Sequence, residues 1–150
     1  MRVRLLSICF FVFAFFTSVY AEPVLMTLKG DKIPFSSLKG KWVLINYWAS
    51  WCNPCLDEIK ALNQFYQARK SDVALFAVNF DGPSLKQQEY LTKKLNISYP
   101  SLMVDPGREL QLGHVRGVPA TFVFDPDGNI KDILYGGQTL ASLNEATYSE

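Results

Sequence analysis

Two cysteines separated by two residues are the part of this sequence best suited to chemistry. Cys52 and Cys55 follow a nearly continuous apolar run over residues 42–48 and precede a stretch whose apolar residues recur at helical spacing. This pattern predicts that they lie where a buried strand ends and a helix begins. The N–H groups and dipole at a helix N-terminus stabilise a thiolate, the nucleophile in disulfide exchange. We therefore predict that Cys52 attacks a partner and that Cys55 resolves the mixed disulfide.

Other uses of a close cysteine pair fit the sequence less well. A four-ligand zinc site needs two more ligands, and His114 is the only histidine in the chain. A c-type haem attachment needs a histidine directly after the second cysteine, where this chain has Leu56. One close pair is also not a structural disulfide framework. We therefore predict a redox-active disulfide with no bound cofactor and no metal.

The first 21 residues have the pattern of an export signal. Arg2 and Arg4 precede an apolar run over residues 5–19, and a small residue, Ala21, stands before a possible cleavage point. The run is short for a membrane span, which needs about 20 residues. We predict a signal peptide over residues 1–21 that is cleaved near Ala21, with a retained N-terminal membrane anchor as the alternative. The mature protein would then be periplasmic or otherwise exported.

Length and charge limit what the remainder can be. The chain has 150 residues, and without the predicted signal its 13 basic and 14 acidic residues give a net charge of −1. Residues 22–150 suit one domain, and we expect a monomer. The lack of a basic run argues against nucleic acid as a partner. Cys9 lies in the predicted signal, so the mature chain keeps only the close pair.

The apolar patterns predict an alternating order of strands and helices after the signal. The predicted elements are hairpin strands over 24–28 and 33–35, a strand over 42–48, a helix over 53–69, a strand over 73–80, a helix over 85–95 with Leu85 in its inner stripe, a strand over 99–104, a small helix near Leu110, strands over 120–124 and 130–135, and a helix near 140–146. This order indicates an α/β domain with one mixed sheet.

Two motifs in the chain resemble those of one protein family. Residues 48–55 read WASWCNPC, and residues 116–122 read RGVPATF. Together they are similar to the motifs of the TlpA/ResA/CcmG-like group of exported thiol–disulfide oxidoreductases, and the resemblance extends over residues 24–136. It implies a thioredoxin-like fold, with a central mixed β-sheet flanked by helices, an N-terminal β-hairpin and a helix-plus-strand insert.

The resemblance also implies which residues surround the cysteines. The site-shaping residues that it indicates are Trp51, Asn53, Pro54, Val118 and Pro119. In this group Val118 and Pro119 would form a cis-proline loop beside the first cysteine, whose backbone pairs with an extended segment of the partner. We also expect Trp48 and Trp51 to pack around the site.

The partners implied by the resemblance are protein thiols and disulfides. They would include a membrane electron donor and an exported client, and the reaction would be reduction, in cytochrome c maturation or thiol repair. Two alternatives stay open. A dithiol oxidase could use the same scaffold, and a copper metallochaperone could bind Cu(I) through two thiolates, although copper-binding relatives usually have a wider cysteine spacing.

Four polar residues lie within or near the two motifs. Asn46 stands where thioredoxin has a buried, titrating Asp, and an amide cannot titrate. Asp81 is expected to cap the following helix. Glu58 matches the glutamate that follows the second cysteine in the family motif, but we expect it to be a solvated helix residue. His114 is expected to be an ordinary loop residue. The proton acceptor for Cys55 is therefore left unassigned.

Overall fold

The computed structural model describes residues 21–148. Residues 1–20, which carry almost all of the predicted signal peptide or membrane anchor, and residues 149–150 lie outside the described residues. None of the described helices combines the length and the apolar character that a membrane crossing requires. The elements that position the two cysteines all lie within the described range.

The strands form a hairpin and a central mixed sheet. They are β1 (Val24–Met26), β2 (Lys32–Pro34), β3 (Trp42–Trp48), β4 (Val73–Asn79), β5 (Ala120–Phe124) and β6 (Ile130–Tyr135). The first two pair as an antiparallel hairpin, and the other four form a sheet in the order β4-β3-β5-β6. β3 runs parallel to β4 and antiparallel to β5. All seven residues of β3 are buried, as its continuous apolar run predicts for a strand covered on both faces.

The described residues also contain a short 3₁₀-helix (Phe35–Leu38) and three α-helices: α1 (Asn53–Ala68), α2 (Leu85–Lys94) and α3 (Leu140–Ala146). Ile59, Leu62 and Phe65 of α1 are buried against one face of the sheet, in a core that also contains both cysteines and Leu143 of α3. The hairpin covers the opposite face, where residues from β3 and β5 form a second core. The predicted α/β fold class is confirmed, and α1 begins directly at the cysteine motif.

The segment that follows α2 bridges two neighbours instead of forming the strand predicted over 99–104. Ser101 pairs with Ala77 of β4, and Leu102 pairs with Thr27 beyond the end of β1. Pro100 has no N–H to donate, and the residues after it divide their hydrogen bonds between β4 and the hairpin. The predicted strand is therefore reduced to two single bridges, which connect the hairpin to the central sheet.

Two other local predictions in this part of the chain are wrong. The helix predicted near Leu110 is a series of turns. Gln111 and Gly113 have positive φ angles of 54° and 72°, which no right-handed helix accommodates. In α2 the buried residue is Gln88, and Leu91 and Leu95 also pack against the core, whereas Leu85 lies exposed in the first turn.

Candidate active site

Cys52 and Cys55 form a disulfide at the N-terminus of α1, with their Cα atoms 5.3 Å apart. Cys52 is the N-cap residue, and its Sγ accepts a hydrogen bond from the Cys55 N–H at 3.3 Å. Asn53 and Pro54 are the first two residues of the helix, where a proline costs no hydrogen bond. Cys52 is 5% exposed and Cys55 is 0% exposed. The predicted placement of both cysteines at a helix start is confirmed.

The loop before the disulfide is tied to the end of β4. The Phe80 N–H donates to the Trp48 carbonyl at 2.8 Å, continuing the pairing of β3 with β4 by one residue. The Ser50 N–H donates to Asp81 Oδ2 at 2.9 Å. These two bonds fix the backbone that leads from β3 into α1, and so they fix the position of Cys52.

Asp81 does not cap α2, and that prediction is wrong. The N-cap residue is Ser84, whose side chain accepts a hydrogen bond from the Gln87 N–H. The turn at Gly82, with a positive φ of 64°, separates Asp81 from the helix, so the carboxylate faces the cysteine loop instead.

The two tryptophans of the motif lie in different environments. Trp48 is buried in the same core as the cysteines, as expected. Trp51 is 69% exposed, so the expectation that it packs around the site is wrong. It lies on the loop beyond the end of β3, where no element within residues 21–148 covers it. With Phe80, which is also exposed, it leaves aromatic surface on the backbone segments that flank the disulfide.

The second motif forms a loop on the same core. The Val118–Pro119 peptide bond is cis, as the family resemblance implies. Val118 is partly buried and packs against the core that contains Cys52 and Cys55. The Pro119 carbonyl accepts from the Gly136 N–H at 3.0 Å. The structure therefore brings both sequence motifs to one apolar cluster.

Glu58 is buried and is not the solvated residue that was expected. It is 3% exposed, one turn after Cys55 on α1. Its Oε1 accepts from Asn46 Nδ2 at 2.8 Å, and its Oε2 accepts from the Gln138 N–H at 2.8 Å. Burial raises the pKa of the Glu58 carboxyl to about 7, although these hydrogen bonds from Gln138 and Asn46 lower it.

The loop between β6 and α3 encloses this carboxyl group. A Cβ atom placed on Gly137 would lie 3.4 Å from the Pro54 carbonyl oxygen, so the loop passes close to the first turn of α1. The next residue, Gln138, supplies the N–H that Glu58 accepts. Because Gln138 acts through its backbone, its residue type gave no signal in the sequence.

A groove of about 560 Å³ lies between Phe80, directly after β4, and the turns of residues 105–115. Its lining includes Phe80, Asp105, Arg108, His114 and Val115. His114 lies in a loop, as predicted. In the described part of the chain, no three side chains of the His, Cys, Asp or Glu types gather as metal ligands would.

Comparison with known proteins identifies the family. The AhpC/TSA family matches residues 20–133, which is most of the chain. The chain belongs to the AhpC/TSA family. Its match covers β1 to β5, both cysteines and the cis-proline loop.

Individual relatives and solved structures show which kinds of protein this AhpC/TSA family member is similar to. The thiol-disulfide oxidoreductase ResA of Geobacillus kaustophilus is 32% identical over 117 residues, or 77% of this chain and 67% of that protein. The thioredoxin-like protein YneN of Bacillus subtilis is 32% identical over 81% of this chain and 72% of its own. The crystal structure of StoA from Bacillus subtilis has a TM-score of 0.70 at 27% identity, covering 87% of this chain and 98% of that one. The predicted thioredoxin-like fold and the assignment to the thiol–disulfide oxidoreductases are confirmed.

Proposed function

We propose that this protein is an exported reductase that transfers two electrons from Cys52 and Cys55 to a disulfide in another exported protein. The observation that carries the proposal is the Cys52–Cys55 disulfide at the start of α1, one turn before a buried carboxyl group. The disulfide is itself the redox group, and no other cofactor is proposed. Residues 22–150 would form the mature domain after removal of residues 1–21.

The reaction begins at Cys52 in the reduced protein. Its thiolate, stabilised by the N-terminal N–H groups of α1, attacks one sulfur of the client disulfide. A mixed disulfide forms, and the other client sulfur leaves as a thiolate. Cys55 then loses its proton and attacks Cys52 Sγ, which forms the intramolecular disulfide and releases the second client thiol. The client gains two electrons, and the protein becomes the oxidised form seen in the structure.

Glu58 is the proposed proton acceptor for Cys55. A thiol that is fully buried must lose its proton to a nearby group before it can attack. A carboxyl group whose pKa is about 7 is near the optimum for a general base at neutral pH. Glu58, a residue of α1 itself, would thus take the role of proton acceptor that the sequence leaves unassigned.

The proposed client is an extended protein segment that carries a disulfide. Val118 packs on the cysteine core and would offer its backbone to that segment, in the manner of strand addition. Asn53, Pro54 and Pro119 would shape the approach to Cys52, and the exposed Trp51 would contact the client. A membrane protein would return electrons to the disulfide. The clients would be proteins of cytochrome c maturation or of thiol repair. The protein would act on them as a monomer.

A trapping experiment tests the assignment of the two cysteines. Cys55→Ser should stop the reaction at the mixed disulfide, so that clients stay linked to Cys52 when the variant is expressed in the native envelope. The matched control is the double variant in which Cys52→Ser is added. If the double variant traps the same proteins as Cys55→Ser alone, the attacking cysteine is not Cys52.

The direction of electron flow has its own test. A reductase should have a reduction potential well below about −120 mV, the value typical of a strong dithiol oxidant. The potential is measured by equilibrating the protein with glutathione or dithiothreitol buffers. A value near that of the strong oxidant would favour the dithiol oxidase instead.

A further inference from the structure

The Asn46 side chain is a buried amide whose two ends meet different partners. Its Nδ2 donates to Glu58 Oε1 at 2.8 Å and to Thr121 Oγ1 at 3.0 Å. Its Oδ1 accepts from the Tyr99 hydroxyl at 3.4 Å. A primary amide has two N–H donors and one carbonyl acceptor. This arrangement therefore uses both donors, and it directs one of them at the carboxylate.

The orientation of this amide determines which form of Glu58 it stabilises. With Nδ2 toward Glu58, the amide stabilises the carboxylate. If the amide were turned by half a rotation, its oxygen would face the carboxyl group and would stabilise the protonated acid. The amide of Asn46 therefore affects the proton affinity of Glu58 through its orientation.

Tyr99 favours the first of these orientations. Within residues 21–148, the Tyr99 hydroxyl donates its hydrogen bond to Asn46 Oδ1, and the Tyr99 side chain is buried, with 2% exposure. A turned amide would leave this O–H without an acceptor in the core, which is costly. Burial raises the pKa of the Tyr99 phenol, and the nearby Glu58 carboxylate raises it further, so the hydroxyl remains a donor at neutral pH. An edge-to-face contact with the Tyr66 ring holds the Tyr99 ring in place.

We propose that Tyr99 is a positioning residue that acts through Asn46 to keep Glu58 as the carboxylate that accepts the proton of Cys55. The inference rests on the proposed function. Tyr99 would act by orientation and not as a proton relay, because an amide between two groups does not readily pass a proton from one to the other. The segment that carries Tyr99 is the insert between α2 and β5, so this insert would contribute to the chemistry of α1.

The groups that face Glu58 come from four parts of the fold. They are Asn46 on β3, Tyr99 in the insert and the Gln138 N–H in the loop before α3, with Cys55 one turn before Glu58 on α1 itself. Of these, Tyr99 is the group that titrates in the oxidised protein, where Cys55 is held in the disulfide. Within residues 21–148, the shift in the Glu58 pKa comes from burial and from the two hydrogen bonds, and no charged side chain contributes.

The test is Tyr99→Phe, which keeps the buried ring and removes only the hydroxyl. The titration of Glu58 is followed by carboxyl ¹³C NMR in the oxidised protein, and reduction of a synthetic peptide disulfide is followed as a function of pH. We expect the pKa of Glu58 to rise by about half a unit, because the amide is held less firmly toward the carboxylate. The acid limb of the rate profile should move by the same amount, and the rate at pH 7 should fall about twofold.

Two further comparisons test whether the Tyr99 hydroxyl changes the pKa of Glu58 through Asn46. Tyr66→Phe removes a hydroxyl from the neighbouring ring, and it should leave both the Glu58 titration and the rate profile unchanged. In an Asn46→Ala background, Tyr99→Phe should cause no further shift. A full shift in that background would overturn the route through Asn46. If Tyr99→Phe does not fold, Tyr99→Met also removes the hydroxyl with an adaptable apolar side chain, and it should raise the pKa of Glu58 in the same way. An unchanged Glu58 titration in that variant would overturn the inference.

The two readouts separate this inference from the proposed function. If the wild-type protein reduces the peptide but Tyr99→Phe leaves the Glu58 titration unchanged, the inference is overturned and the proposed function stands. If the wild-type protein does not reduce the peptide, the proposed function fails. The NMR titration alone then decides whether Tyr99 acts on Glu58 through Asn46.

Discussion

Glu58 holds a carboxyl group inside the protein, one turn after the second cysteine. Its pKa is raised from 4.5 to about 7, so the folded protein binds this proton more tightly than the unfolded chain does. Between these two values the folded state carries more protons than the unfolded state, and the free energy of unfolding must fall as the pH rises. The stabilisation is complete below about pH 4.5 and is lost as the pH passes through about 7.

Replacing Glu58 by glutamine should remove this pH dependence. Urea unfolding of the oxidised wild-type protein should show a free energy of unfolding that is about 1 to 3 kcal/mol lower at pH 8 than at pH 5, from this group. In Glu58→Gln that difference should disappear, because the amide does not titrate. Asp57→Asn, which changes the exposed neighbouring carboxylate, is the matched control. An unchanged pH dependence in Glu58→Gln would show that Glu58 titrates normally.

The residues of the active site differ in how far they could be predicted. The roles of Cys52 and Cys55 depend on a helix start that is encoded within a few residues, so the local sequence predicted their placement. The burial of Glu58 depends on a loop that lies 80 residues further along the chain, at Gln138. On α1, Glu58 lies three residues after Cys55 and four before Leu62, so the helical spacing places it on the buried face, whereas its charge is typical of a surface residue. No local pattern reports that a distant loop covers it.

At the scale of elements, the start of α1 depends on a tether from the end of β4. Asp81 accepts a hydrogen bond from the N–H of Ser50, which stands two residues before Cys52, and this bond is exposed to solvent. The other connection is the Phe80 N–H to the Trp48 carbonyl. The tether therefore holds the loop in place rather than contributing greatly to global stability, because water can replace an exposed hydrogen bond.

Asp81→Ala should loosen this loop without unfolding the protein. The Ser50 amide should exchange with deuterium about threefold faster, because its acceptor is lost, whereas amides in β3 should be unaffected. Asp81→Asn keeps an acceptor oxygen and removes the charge, so it should exchange at nearly the wild-type rate. NMR-detected hydrogen exchange of the oxidised protein measures both. Equal Ser50 exchange in Asp81→Ala and the wild type would contradict the tether.

The elements themselves were predicted where the pattern was long and regular. The apolar run of β3 and the helical spacing of α1 each extend over seven or more residues, and both elements lie where expected. The strand predicted over 99–104 was not formed, because those residues bond to two different neighbours. Periodicity identifies which residues are apolar but does not show how an extended segment divides its hydrogen bonds between partners. Irregular connections are therefore the part of the fold that the sequence predicted least well.

On the scale of the whole molecule, the central sheet lies between two apolar cores. Tyr47 connects the core on the hairpin face to Asp105, in the segment between α2 and β5. Its side chain is fully buried on the hairpin face of β3, and its hydroxyl donates to Asp105 Oδ1. The same oxygen accepts the Gly107 N–H at 2.8 Å. A Cβ atom on Gly107 would lie 3.0 Å from the Tyr47 hydroxyl, which explains the glycine at this close approach. The bond therefore holds the segment around Asp105 against β3.

Tyr47→Phe should show how much the hydrogen bond to Asp105 contributes to the stability of the domain. Loss of a hydrogen bond from a buried hydroxyl to a carboxylate should lower the free energy of unfolding by about 1 to 2 kcal/mol. Amides in residues 105–116 should exchange faster than those of α1, because the insert opens before the rest of the domain. Tyr135→Phe, at an exposed position on β6, is the control and should have little effect on either measurement. If Tyr47→Phe is as stable as the control and its insert exchanges at the wild-type rate, the insert is held by its apolar contacts alone.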